Sequence, residues 1–136
     1  MGKGGRPKKD STIYTDKGRV ERHIKPLLGT KLVRDLTSVD VNRFIRDVAS
    51  GKTAAVEKTG RKRGKAIVEG GPGAAARTTG LLGGILSYAV LQGVIEHNPA
   101  TGVKRPADKR RTRRLTAEEF RRLGQALSAA EAEGEI

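Results

Sequence analysis

The stretch GVIEHNPATGVKRPADKRRTRRLTAEEFRRL, residues 93–123, decides how the rest of the chain is read. It ends one helix, crosses a segment with seven Lys or Arg against one Asp at residues 104–114, and opens another helix at Thr116-Ala117-Glu118-Glu119. That last tetrapeptide is a full capping box, in which the threonine hydroxyl and the third-position glutamate satisfy each other's free backbone N–H groups. Two helical units are therefore strapped together by a cationic cord, an arrangement suited to encircling an anionic polymer.

Upstream of this junction the signals are also helical. Pro72 fits the first position of a helix running to about Leu91, with Leu81, Leu82, Ile85, Leu86, Ala89 and Val90 as a broad apolar face. Gly83-Gly84 weakens that helix by about 1 kcal/mol per glycine, a cost that close packing of another helix would offset. Thr37-Ser38-Val39-Asp40 is a second start signal, followed by Val41, Phe44, Ile45 and Val48 at helical spacing and a stop near Gly51. A first helix begins near Ser11 or Thr12, which can cap it, carries Val20, Ile24 and Leu27, and ends at Pro26 and Gly29. Residues 51–73 show no sustained period and read as a loop or small hairpin, with Ala66-Ile67-Val68 the strand-like part. The expected fold class is thus all-α, a small helical bundle with a basic insertion. Phe120, Leu123 and Leu127 give the trailing helix a thin apolar stripe that looks like the first helix of a further domain.

Net charge is +13 over 136 residues, and it is clustered. Residues 1–10 carry +3, residues 52–65 carry +5 and residues 104–114 carry +6, whereas the segment from Leu115 onward carries −3. Concentration in a tail, an insertion and a linker is how flexible phosphate-seeking segments are deployed. Only four aromatic residues occur, which disfavours base-stacking platforms for single strands and favours a duplex. With no cysteine and two histidines, a Cys/His metal site or thiol chemistry has no basis, and no cofactor is expected. Gly71-Pro72-Gly73-Ala74-Ala75-Ala76 fits a dinucleotide fingerprint in letters, but that motif needs a parallel βαβ unit, which this chain cannot build. The same helix start, with Arg77, Thr78 and Thr79 in its early turns, can hold a DNA phosphate instead. Gly5-Arg6-Pro7-Lys8 is similar to the core of minor-groove AT-hook peptides, but the match is four residues long and lacks a preceding Arg, so a plain basic tail is the favoured reading. The basic N-terminus lacks the apolar stretch of a signal peptide, so a cytoplasmic location without a membrane or small-molecule partner is expected.

Four segments in order resemble the tyrosine recombinases of the phage-integrase family: residues 21–29 (ERHIKPLLG), residues 36–41 (LTSVDV), residues 85–90 (ILSYAV) with Asn98-Pro99, and residues 115–119 (LTAEE). The resemblance implies a SAM-like core-binding domain over residues 11–103, after a basic tail at residues 1–10. It further implies an interdomain linker at residues 104–114 and the first helix of a truncated catalytic domain at residues 115–136. It implies double-stranded DNA as partner and a homo-oligomer assembled on DNA through that catalytic domain. Ser11, Thr12, Thr15, Lys17 and Arg19 on the first helix and Arg77, Thr78 and Thr79 on the last helix of the jaw become DNA-contact candidates. Charge adds Arg61, Lys62, Arg63 and Lys65 in the insertion and Lys104, Arg105, Arg110, Arg111, Arg113 and Arg114 in the linker. The family's His-x-x-Arg motif is not met: the third residue after His23 is Pro26 and after His97 is Ala100. Tyr14 and Tyr88 lie upstream of where the family keeps its nucleophile, so no strand cleavage is expected of this chain alone. Two other classes fit the composition: a helical protein-interaction module whose charge merely solubilises it, and a small RNA-associated basic protein.

Overall fold

The computed structural model describes residues 7–58, 62, 64–107 and 112–134. Its elements in chain order are α1 (Asp10–Arg19), a π-helical stretch (Val20–Ile24), α2 (Lys25–Leu28), a 3-10 turn (Val33–Asp35), α3 (Ser38–Ala49), β1 (Ala55–Lys58), β2 (Lys65–Val68), α4 (Pro72–Leu91) and α5 (Ala117–Ala132). The protein is mostly helical but not all-α, because the insertion pairs into an antiparallel hairpin.

Helix α3 starts where the sequence predicts. The Thr37 hydroxyl accepts from the Asp40 backbone N–H at 3.3 Å, and the Asp40 carboxylate accepts from the Thr37 N–H at 3.0 Å. Its apolar stripe of Val41, Phe44, Ile45 and Val48 is buried, and it packs on α4 through Ala75, Leu82 and Leu86, with Leu28 of α2 completing the core. At about 25 cal/mol per Å2 of apolar surface, these interlocking side chains supply the main driving force for folding. Helix α4 is long and apolar enough in composition to cross a membrane, yet here it is the central helix of the bundle.

Several expectations change. Residues 10–28 form one continuous helical run that passes through Pro26, just after the π-helical stretch, and ends at Gly29 as the sequence predicts. Lys9, not Ser11 or Thr12, precedes the first helical residue, and it makes no side-chain cap. The buried face of α4 is Ala75, Thr78, Thr79, Leu82 and Leu86, which leaves Ile85 exposed. What approaches Gly83 is not a helix but the segment after α4: a Cβ on Gly83 would lie 3.8 Å from that of Ala100.

The hairpin is held at its root by two glycines. Gly51 (φ +79°) and Gly70 (φ +82°) adopt the left-handed conformation, and a Cβ on Gly70 would fall 2.5 Å from the Val48 carbonyl oxygen and 2.9 Å from the Gly51 Cα. Only glycine permits this backbone-to-backbone approach. The Gly71 N–H then donates to the same Val48 carbonyl at 3.1 Å, tying the end of α3 to the start of α4.

Candidate nucleic-acid interface

Helix α1 displays Ser11, Thr12, Thr15 and Lys17 to solvent. The Thr15 hydroxyl donates to the Ser11 carbonyl at 2.9 Å, as a threonine within a helix commonly does. Arg19 is half-buried and donates to Asp16 at 3.1 Å, while Lys8 donates to the other oxygen of that carboxylate at 2.7 Å. The Lys8 hydrogen bond, supported by Arg19 and opposed by partial burial, holds the Asp16 carboxyl below its ordinary range.

The π-helical stretch turns His23 inward, where it is buried and its Nδ1 lies 2.6 Å from the Thr53 hydroxyl. Burial first, then the neighbouring Arg22 and Arg19 charges, lowers its pKa, so the neutral ring is favoured. This bond fastens the helical run to the root of the hairpin. Beside it lies a cleft of about 800 Å3 lined by Tyr14, Lys17, Arg22, Lys52 and Glu57 among others. Arg22 spans it, with its guanidinium 3.5 Å from Glu57 of β1. Gly18 makes room for that guanidinium, since a Cβ there would sit 2.9 Å from Arg22 Nη1. Of the α1 candidates, the structure thus brings Lys17 to one cleft with Lys52, Thr53 and Glu57 of the insertion.

On α4, Arg77 is exposed and takes part in an interaction within the protein, but Thr78 and Thr79 are 1% and 3% exposed. The Thr78 hydroxyl donates to the Ala74 carbonyl at 2.7 Å. Burial removes both threonines from the candidate contact surface.

The start of the linker is locked down. Asn98 donates to the Gly83 carbonyl at 2.9 Å and to the Ser87 hydroxyl at 2.8 Å, and its own carbonyl oxygen accepts from the Ala100 N–H at 2.9 Å. Asn98 therefore sets the direction in which residues 99–107 leave α4. Exposed Arg105 lies over Gly80, whose absent side chain leaves room: a Cβ there would meet Arg105 Nη1 at 3.0 Å. Lys104 and Arg114 are exposed, and Arg113 pairs with Glu119 of the α5 capping box. Lys62 and Lys65 are exposed on the insertion. Candidates Arg61, Arg63, Arg110 and Arg111 lie outside the described residues, as does Arg6 of the AT-hook-like segment.

Sequence reasoning passed over Lys52 and Lys58, which the charge count included but did not single out, and Val56 and Ile67, which the hairpin register brings face to face. Residues 55–58, AVEK, show no alternation of apolar and polar side chains and are exposed throughout, so no local signal marked them as a strand.

The bundle thus presents exposed basic residues on its first helix, its hairpin insertion and its linker. Among solved structures, the chain is similar to a lambda integrase(75-356) dimer bound to a COC′ core site, with TM-score 0.66 and 18% identity over 90% of this chain and 37% of that one. It is also similar to a lambda integrase dimer bound to a COC′ core site (TM-score 0.65, 19% identity, 94% and 30% covered) and to a lambda integrase tetramer bound to a Holliday junction (0.66, 20%, 93% and 31%). At these identities the likeness is one of fold. The chain spans between 30% and 37% of the length of those integrase chains. No protein-family model and no curated protein matches the sequence.

Proposed function

We propose that this chain is the duplex-DNA-binding core of an integrase-like tyrosine recombinase, with a SAM-like domain at residues 11–103, a linker at residues 104–114 and the opening helix of a catalytic domain from residue 115. One observation carries the reading: the fold it shares with DNA-bound integrases covers at least 90% of the chain, and the described lysines and arginines of its basic tail, insertion and linker are exposed on that fold. The contacts assigned in this reading are drawn from exposed residues. Ser11, Thr12, Thr15 and Lys17 offer short donors along one helix, Lys62 and Lys65 reach from the insertion, Arg77 stands in the second turn of α4, and Lys104, Arg105 and Arg114 follow the linker. Phosphate contacts of this kind fix position, and base-edge contacts supply sequence preference. Assembly of copies on DNA, as in the dimers and tetramer of the similar structures, belongs to the same proposal. The catalytic groups belong to the domain that α5 opens, so this chain binds without cutting.

Titration of the chain into a fluorescent 30-base-pair duplex at increasing salt tests this. Affinity should fall linearly in log–log form, with a slope of roughly 0.9 per phosphate neutralised. A flat salt response, or preference for structured RNA over the duplex, would overturn the reading. A suicide substrate should give no covalent adduct, and a phosphotyrosyl bond at Tyr14 or Tyr88 would refute the division of labour.

A further inference from the structure

The β1–β2 hairpin has two unlike faces. Its register pairs Ala55 with Val68, Val56 with Ile67, Glu57 with Ala66 and Lys58 with Lys65. Side chains alternate along a strand and cross-strand partners share a face, so Glu57, Ala66 and Val68 point one way and Val56, Lys58, Lys65 and Ile67 the other. Burial follows this division on β2, where Ala66 and Val68 are half-buried and Lys65 and Ile67 exposed. Glu57 turns its face toward the bundle by pairing with Arg22. The opposite face carries an aliphatic pair, Val56 at 68% and Ile67 at 64% exposure, beside two ammonium groups.

Strand propensity alone explains a Val–Ile pair. It does not explain Lys58 opposite Lys65, because like charges directly across a strand pair destabilise it. Lys58 and Lys65 close the paired ribbon at the end farthest from the glycine root, where Lys62 is also exposed. An anionic partner would offset that repulsion.

Resting on the DNA-binding reading above, we propose that this hairpin is a second reading element, a two-stranded ribbon that enters the major groove of the duplex. There Val56 and Ile67 lie against thymine methyl groups, while Lys58 and Lys65 engage the flanking phosphates. Groove dimensions decide which groove. The major groove, about 12 Å wide, admits a two-stranded ribbon, whereas the minor groove, about 6 Å wide, does not. Four residues at about 3.3 Å each make the ribbon about 13 Å long, enough to reach across the groove. The root at Gly51 and Gly70, the His23–Thr53 bond and the Arg22–Glu57 pair hold it to the bundle, so groove entry needs little ordering of its stem.

The test uses duplexes that the full chain selects from a randomised library, each synthesised once with thymine and once with deoxyuridine, which lacks only the methyl group. The wild-type chain should bind the deoxyuridine duplex about fourfold more weakly for each methyl contacted. Val56→Thr with Ile67→Thr keeps β-branching but replaces part of each apolar surface with a hydroxyl, and should show a smaller thymine preference than the wild type. Lys58→Gln with Lys65→Gln should lower the log–log salt slope by about 2. Salt-sensitive binding with no thymine preference in the wild type, or the same preference in the threonine variant, overturns the ribbon and leaves the DNA-binding reading standing. Unchanged DNA binding in the threonine variant with loss of self-association in sedimentation makes the face a protein interface and overturns it too. Failure of the wild type to bind any duplex overturns both proposals.

Discussion

Helices α3 and α5 begin with the same device and end in opposite circumstances. Each has a threonine cap and an acidic residue three positions on, and in each both reciprocal bonds form. Yet α3 buries Asp40, Val41, Phe44, Ile45 and Val48, while α5 buries nothing among its described residues. Phe120 is 62% exposed where Phe44 is 1%. A capping box decides where a helix starts, because it answers the free N–H groups of the first turn. Whether the helix is then held in a core depends on a partner surface elsewhere, which no local motif encodes.

The sharpest way to break this comparison is to truncate the two phenylalanines. Phe44→Ala should cost about 3 to 5 kcal/mol in urea unfolding followed by circular dichroism, because it leaves a cavity between α3 and α4. Phe120→Ala should stay within about 0.5 kcal/mol, as an exposed substitution does. A comparable loss at both positions would mean that α5 is packed against the bundle after all.

Removing the caps is a gentler probe. Thr37→Ala should lower global stability by about 1 kcal/mol. Thr116→Ala should leave the unfolding midpoint in place and appear only as faster amide exchange in the first turn of α5, where opening is local. A shift of the midpoint by Thr116→Ala would couple the two helices.

Acid separates the contributions within the bundle. The Lys31 ammonium, then the Thr37 N–H and hydroxyl, lower the Asp40 carboxyl from 3.8 to about 2. A depressed carboxyl contributes stability that is present above 3.8 and lost as pH falls toward 2, and Asp40→Asn should flatten that limb. His23 acts at higher pH. Its pKa is lowered from 6.5, so below that pH the unfolded chain takes up the proton more readily and stability declines. His23→Gln should remove this slope. Persistence of the slope below 6.5 in that variant would place the responsible group elsewhere.

Legibility in the sequence follows the same division between local and tertiary causes. Thr37, Thr116 and Pro72 marked helix starts correctly, since caps and N1 prolines act within one turn. The apolar stripe of α3 was equally plain, because Val41, Phe44, Ile45 and Val48 are all large. The face of α4 was misjudged for the converse reason. Its buried positions 75, 78, 79, 82 and 86 keep perfect helical spacing, but three of them are Ala or Thr, and the bulkier Ile85 drew the reading toward solvent. The π-helical stretch left no local trace, because the His23–Thr53 bond that accompanies it joins residues 30 apart. On the interface, charge located the hairpin and linker, while the burial of Thr78 and Thr79 and the facing of Val56 with Ile67 needed the three-dimensional register.

The pinch at Gly51 and Gly70 carries a last consequence. Because the chain leaves α3 and returns to α4 at almost the same point, everything between is spliced into what is otherwise a simple turn between two helices. Such a splice is modular: the ribbon can be lengthened, shortened or exchanged without repositioning either helix, much as domain insertions succeed where entry and exit coincide. Selection acting on residues 54–69 can therefore retune the ribbon while Thr53, its bond to His23 and the core of α3 and α4 are inherited intact.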